Sequence, residues 1–421
     1  MTEWTEARWV ADVRRELLEN ILPFWRRRAV DREHGGFIAE MSNDLRPNPA
    51  AGKGLILNAR LLWTFSAAFR LTRLPEDRAL AQRAFEYLTA RFLDPRHGGY
   101  FWELNRKGAV LDDKKRIYGQ AFCIYALTEY HRTFGAPETL RQAQETFDRI
   151  EAHARDDRHG GYFETLTRDW QPSKDMRLSE KDMNEAKSMN NHLHLLEAYT
   201  NFYRVGRGDR VAERLRELIA LFPRQILNRE GTHFQHFFDA EWTPKSDSYT
   251  FGHDIEGSWL LCEAAAALGD PALQKEIETL AVRIARAVLD EGLDADGGLL
   301  YEARQRKIVN SDKEWWPQAE AVVGFHNAWQ ISGDDRFREA AARCWEFILR
   351  RIVDPVHGEW FWRVSREGTP DDAMPKVSMW KGPYHNARCC LEILCRIDPH
   401  AFSVELEKKT SESRRLGLAE K

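Results

Sequence analysis

Apolar residues along this 421-residue chain recur three and four positions apart for most of its length, the spacing of one face of an α-helix. Two kinds of stretch alternate. Residues 116–134 (RIYGQAFCIYALTEYHRTF) are apolar almost all round, which predicts a helix buried on most sides. Residues 135–154 (GAPETLRQAQETFDRIEAHA) place charges on one face and Leu140, Ala143, Phe147 and Ile150 on the other, as an outer helix would. The turns from inner to outer helix read LPEDRAL, FGAPETL, GRGDRVA, LGDPALQ and SGDDRFR, with Gly or Pro as breaker and often Asp near the N-cap. The return connections are longer and hold alternating segments such as GYFWELNRKGAVL (residues 99–111), which predict small β-hairpins.

A glycine-centred signature punctuates this alternation. It reads DREHGGF, DPRHGGY, DDRHGGY, REGTHF, DADGGLL and DPVHGEW, with first glycines at Gly35, Gly98, Gly160, Gly231, Gly297 and Gly358. Intervals of 63, 62, 71, 66 and 61 residues define a repeat that fills nearly the whole chain. An open solenoid needs polar capping repeats at both ends. Here the first and last inner helices resemble each other instead (LNARLLW from Leu57, HNARCCL from His385), which favours closure. The expected fold is all-α, an (α/α)6 barrel over residues 1–400, with long loops and hairpins at one end and a charged tail over 401–421. The second glycine of the signature is replaced at Thr232 and Glu359.

Charge is balanced, 62 basic against 66 acidic side chains, without long single-sign blocks, so nucleic acid and anionic membranes are not the expected partners. The start, MTEWTEARWV, does not read as a secretory signal, and no apolar run is long enough to span a bilayer. Cys123, Cys262, Cys344, Cys389, Cys390 and Cys395 all lie in apolar helical stretches and are expected as buried, reduced thiols of a cytoplasmic protein.

The candidate chemistry lies just before or within the first turns of the inner helices: Arg60; Tyr118 and Gln120; His192 and His194; His253, Asp254 and Glu256; Trp315, Trp316 and Glu320; Trp380 and His385. His34, His97, His159 and His357 belong to the signature and read as turn residues, and His131 and His326 as core. His194, His253 and His385 stand in contexts no other repeat shares. His253 and Glu256 are three apart on one helix face, spacing for a carboxylate that orients an imidazole. No HExxH or paired-His motif accompanies them, so a metal-free site is expected. Indoles offer flat faces for sugar rings, while Arg60, Asp182, Asn184, Gln120 and Glu320 supply partners for hydroxyls; Trp360 and Trp362 read rather as loop packing.

At these residues the chain resembles the N-acylglucosamine 2-epimerase superfamily, and within it the cellobiose 2-epimerases. The segments that carry the resemblance are GLILNARLLWTF (from Gly54), LSEKDMNEAKSMNNHLHLLEAY (from Leu178), FGHDIEGSWLL (from Phe251), WWPQAEAVVGF (from Trp315) and WKGPYHNAR (from Trp380). It implies an (α/α)6 barrel without cofactor that inverts C2 of the reducing-end glucose of a β-1,4 disaccharide. It further implies His253 and His385 as acid/base groups, Arg60 and His194 on the carbonyl and its oxyanion, and Glu256 supporting the histidine of HDIE. Tyr118, Asp182, Trp316 and Trp380 fall at sugar-binding positions, and Asn184, Trp315 and Glu320 join them as candidates. The small-molecule partner is a sugar, and a monomer or weak homodimer is expected. A monosaccharide 2-epimerase acting on mannose or N-acylglucosamine and an aldose–ketose isomerase share this chemistry. An (α/α)6 glycoside hydrolase using Asp254 and Glu320, or a non-catalytic carbohydrate binder, would leave the three histidines unexplained.

Overall fold

The computed structural model describes residues 5–398, so the tail expected over 401–421 lies outside the described residues. The chain opens with α1 (Glu6–Arg15) and α2 (Leu22–Arg28), joined by a π-helical turn. It then runs as helix pairs: α3 (Leu55–Thr72) with α4 (Pro75–Tyr87), α5 (Ile117–Phe134) with α6 (Pro137–His153), and α7 (Met189–Gly206) with α8 (Asp209–Leu221). There follow α9 (Phe251–Leu268) with α10 (Pro271–Glu291), α11 (Trp315–Ser332) with α12 (Asp335–Phe347), and α13 (Tyr384–Ile397). The odd-numbered helices from α3 to α13 each pack on the next, and α13 packs back on α3, closing an inner ring. The fold is the expected (α/α)6 barrel. The outer cover of α13 comes from α1, so the start of the chain completes the last repeat. Trp25 and Trp360 lock that closure: their indole N–H groups donate to Glu359 (2.8 Å) and Glu16 (2.7 Å).

Local sequence explains the two ends of the barrel. At the short end, α3, α5, α7, α9 and α11 each stop at a residue in the left-handed region (Arg73, Gly135, Arg207, Gly269, Gly333). The next helix begins within three residues, with Pro at its first position in α4, α6 and α10. At the long end the hairpin predicted within 99–111 pairs Glu103–Leu104 with Val110–Asp112, and a second pairs Glu302–Arg304 with Lys307–Asn310.

Each signature folds as one turn, and its hydrogen bonds define true equivalence between repeats. The N–H of Asp31, Asp94, Asp156, Asn228, Asp294 and Asp354 donates to the carbonyl of Gly36, Gly99, Gly161, His233, Gly298 and Glu359. The second-glycine position of repeat four is therefore His233, not Thr232, a register one residue off the sequence expectation. Gly161 shows why glycine is used there: a Cβ would lie 2.4 Å from the Trp242 indole and 2.7 Å from His192 Nε2. The signature histidines serve the turn through their backbone: the N–H groups of His34, His97, His159 and His357 all donate to the leading aspartate. A buried lysine closes five of the six turns, as Lys53–Asp31, Lys115–Asp94, Lys187–Asp156, Lys313–Asp294 and Lys376–Asp354. Five cysteines are buried as expected, but Cys395, near the end of α13, is exposed.

Candidate active site

Two tiers of side chains project from the starts of the inner helices. The fourth residue is structural in four repeats. Gln120, His192, Asp254 and Gln318 accept the N–H of Tyr100, Tyr162, Phe234 and Leu299, tying each helix to its signature turn. Gln120 also donates back to the Tyr100 carbonyl, so its amide is engaged with backbone rather than free for a sugar hydroxyl.

The sixth residue is Arg60 in α3, Phe122 in α5, His194 in α7, Glu256 in α9 and Glu320 in α11, and all five are buried. Arg388 of α13 joins them as the hub. Its guanidinium donates to Glu197, to Glu256 (2.5 Å) and to Glu320 (2.7 Å), and lies over the rings of Tyr384 (4.4 Å) and Trp259 (4.8 Å). Tyr384 donates to Glu197, whose other oxygen is 2.9 Å from His194 Nδ1. Three buried carboxylates around one guanidinium cannot all ionise at equal cost. Burial would raise Glu197, yet Arg388 with the bonds from His194 and Tyr384 holds it down to about 2. Burial, then repulsion from Glu320, pushes Glu256 up to about 7.

His385 Nδ1 lies 2.6 Å from Glu320 Oε1 and 3.9 Å from Glu256 Oε1. Because that Glu320 oxygen already accepts from Arg388, the imidazole donates through Nδ1 and leaves Nε2 as a base. His253 is held differently. Glu256 does not serve it, contrary to the helix-face expectation; its Nδ1 is 2.6 Å from the hydroxyl of Thr250. The stronger attraction lies across the barrel, where α13 offers Glu256 a full positive charge. Burial pulls both imidazoles well below the usual histidine pKa, reinforced at His253 by His236, His194 and His385, and at His385 by Arg60 and Arg388. In both, burial favours the neutral imidazole. Trp316 touches both, its ring 4.7 Å from His253 and 5.7 Å from His385, with its N–H on Glu314.

Arg60 donates to the Trp380 carbonyl (2.8 Å) and the Tyr118 hydroxyl (3.0 Å), and lies over Phe122 (4.6 Å). Tyr118 meets His194 edge-on at 4.9 Å and Trp380 at 6.1 Å. Asp182 lines a cavity of about 470 Å³ with His253, Thr250, His236, Tyr301 and Glu302, a size suited to a sugar. Trp380 and Trp362 border a neighbouring depression of about 410 Å³. Three further candidates are placed otherwise than expected. Asn184 does not line the cavity: its amide staples its own loop through Lys174 and Met176. Glu320 is engaged by His385, Arg388 and Trp259. Trp315 packs edge-on against Trp362 at 4.9 Å, and Trp360 is a core residue.

Arg388, Glu197, Tyr384 and Thr250 escaped the sequence reading. The available signal was a charge inside an otherwise apolar helix, which marks Glu197 and Arg388 as surely as Glu256 and Glu320. Glu256, Glu320 and His385 bring ligand atoms within 4.8 Å of one another, the geometry of a cation site. The Arg388 guanidinium already fills that role by bonding both carboxylates, and a metal would have to displace it.

Comparison with known proteins follows the same lines. The sequence matches the N-acylglucosamine 2-epimerase (GlcNAc 2-epimerase) family over residues 36–389. It is 47% identical to a cellobiose 2-epimerase of Bacteroides fragilis over 384 residues, 91% of this chain and 98% of that protein. Among solved structures, the cellobiose 2-epimerase of Bacillus thermoamylovorans B4167 superposes with a TM-score of 0.88 at 36% identity, covering 93% of this chain and 100% of that one. The cellobiose 2-epimerase of Spirochaeta thermophila DSM 6192 gives 0.86 at 40% identity, covering 94% and 98%.

Proposed function

The chain belongs to the N-acylglucosamine 2-epimerase family, and on that premise we propose that this sugar epimerase inverts C2 of the reducing-end glucose of a β-1,4 disaccharide. Cellobiose would give glucosyl-mannose, and lactose would give epilactose. The observation that carries the reading is the pair of imidazoles, His253 and His385, both in ring contact with Trp316.

Inversion at C2 needs an open-chain aldose, removal of the proton α to its carbonyl, and return of a proton to the opposite face. Two bases that are neutral at rest suit this, since each must alternate between base and acid. One imidazole takes the C2 proton through Nε2, leaving a cis-enediolate; the other, having taken up a proton at Nε2 from solvent, delivers it from the far side, and the imidazolium left behind returns its proton to solvent. Glu320 stabilises the imidazolium formed at His385. Arg60, held by Tyr118 and the Trp380 carbonyl, supports the oxyanion with His194, a contribution often worth about 3 kcal/mol. Asp182 and the indoles of Trp316 and Trp380 position the sugar rings.

The test is the product mixture from cellobiose, lactose, mannose and N-acetylglucosamine, separated by chromatography and repeated in D2O. An isomer of cellobiose with deuterium at C2 is expected. A ketose product would move the second protonation to C1, turnover of mannose alone would make the substrate a monosaccharide, and glucose release would indicate hydrolysis. His385→Ala, like His253→Ala, is expected to lose turnover by about 10³-fold or more while remaining folded; near-normal turnover in either would sink the two-histidine mechanism.

A further inference from the structure

We infer that Thr250 and His236 together hold His253 in a single tautomer, Nδ1 protonated and Nε2 open to the cavity, which makes Thr250 a positioning residue for that imidazole. The inference rests on the reading of His253 as an acid/base group.

Thr250 is the N-cap of α9, with extended backbone (φ −112°, ψ 131°), yet its side chain makes no capping bond. The equivalent Ser188 of α7 caps in the ordinary way, accepting the N–H of Asn191 at 3.1 Å. The Thr250 hydroxyl lies instead 2.6 Å from His253 Nδ1. Its orientation follows from His236. The N–H of Thr250 donates to His236 Nε2 at 3.2 Å, so that nitrogen carries a lone pair, and it lies 3.5 Å from Thr250 Oγ1. A hydroxyl has one hydrogen to give. Shared with the Thr250 N–H as a three-centre acceptor, the His236 lone pair draws that hydrogen and leaves the oxygen free to accept from His253 Nδ1–H.

Burial keeps His236 in the accepting state, its pKa pushed down to about 4. The groups facing His253 are His236, His194 of α7, His385 of α13 and, through Trp316, Glu314 ahead of α11. None of these places a carboxylate on Nδ1. His385, by contrast, has Glu320 there. A hydroxyl fixes the tautomer without the charge that would raise the basicity of His253, so the two imidazoles differ in proton affinity by construction.

The test compares Thr250→Val, Thr250→Ser and His253→Ala on cellobiose, with 15N NMR of histidine-labelled wild type assigned by the His253→Ala spectrum. Thr250→Val should lower kcat by about 100-fold with KM within about 3-fold, and Thr250→Ser should restore kcat to within about 3-fold of wild type. The wild-type spectrum should show His253 protonated at Nδ1. Wild-type turnover in Thr250→Val, or Thr250→Ser as slow as Thr250→Val, overturns the inference. So does a wild-type spectrum with the proton on Nε2, which holds even if the valine variant fails to fold. If His253→Ala itself turns over normally, the acid/base reading fails; if His253→Ala is dead while Thr250→Val is normal, only the tautomer inference fails.

Discussion

In repeat three, Lys187 enters the signature turn to pair with Asp156, Ser188 caps α7, and His192 accepts the N–H of Tyr162. In repeat four the same three positions hold Tyr249, Thr250 and Asp254, and Asn228 stands where the aspartate would be. Tyr249 stacks on His233 with ring centroids 3.8 Å apart, Asp254 bonds His233 Nδ1 at 2.8 Å, and Thr250 turns to His253. One frame thus serves two ends. Where the repeat keeps its Lys–Asp pair, the helix start is anchored by charge; where it departs, Tyr249 and Asp254 engage His233 and Thr250 is released to His253, the proposed acid/base group. A lysine at position 249 would set a buried cation beside the residues that hold His253.

The largest effect that sharpens this contrast is Lys187→Met. The ammonium donates to Asp156 (2.7 Å) and to the carbonyls of Gly160 (2.8 Å) and Ala240 (2.6 Å), and the side chain is fully buried. Removing it strands a buried carboxylate, which costs about 3–5 kcal/mol. Denaturant melts should show that loss, while kcat/KM of the folded fraction stays within about 2-fold of wild type. A large fall in kcat without loss of stability would mean the anchors belong to the chemistry after all.

His233→Gly reverses the contrast by restoring the glycine that repeats two and three carry. Asp254 keeps the N–H of Phe234 but loses the imidazole, a loss of about 1–3 kcal/mol. Because His233 also braces Tyr249, the residue before Thr250, kcat is expected to fall about 10-fold as well. Stability lost with kcat unchanged would reduce the repeat-four departure to a packing variation.

The sequence carried the period, the inner and outer helices, the turn chemistry and the histidines whose surroundings no other repeat shares, because each leaves a local pattern. Cover of α13 by α1 did not show, since a contact between the two ends of a chain has no local pattern. Glu256 was paired with His253 because a three-residue spacing places both on one helix face. That geometry is real, but spacing cannot reveal that α13 brings Arg388 to the same carboxylate. The His233 position was hidden by one residue of register: the eye aligns Gly231 with the first glycines, whereas the hydrogen bond from Asn228 to His233 identifies the equivalent turn. Roles that depend on meetings between repeats were the ones missed.

The smallest effect concerns pH and isolates His192. Its Nε2 accepts from Tyr162 and its Nδ1 lies 2.6 Å from the Ser188 carbonyl, so the ring is held neutral, and burial pushes its pKa down to about 4. In the unfolded chain the same ring titrates near 6.5. Between those values the unfolded state binds the proton and the folded state does not, so stability falls as pH drops from about 6.5 toward 4 and is level above that window. At pH 5 the His192 share is roughly 2 kcal/mol. Repeats two and five supply the replacement, since Gln120 and Gln318 make the same bond to the turn without titrating. His192→Gln should therefore match wild type at pH 7 and exceed it by roughly 2 kcal/mol at pH 5 in urea melts, while His236 and His326, also depressed to about 4, keep their own acid sensitivity in both proteins. An unchanged slope would mean that His192 is protonated in the folded state, and that its bond to Tyr162 is not the neutral counterpart of the two glutamines.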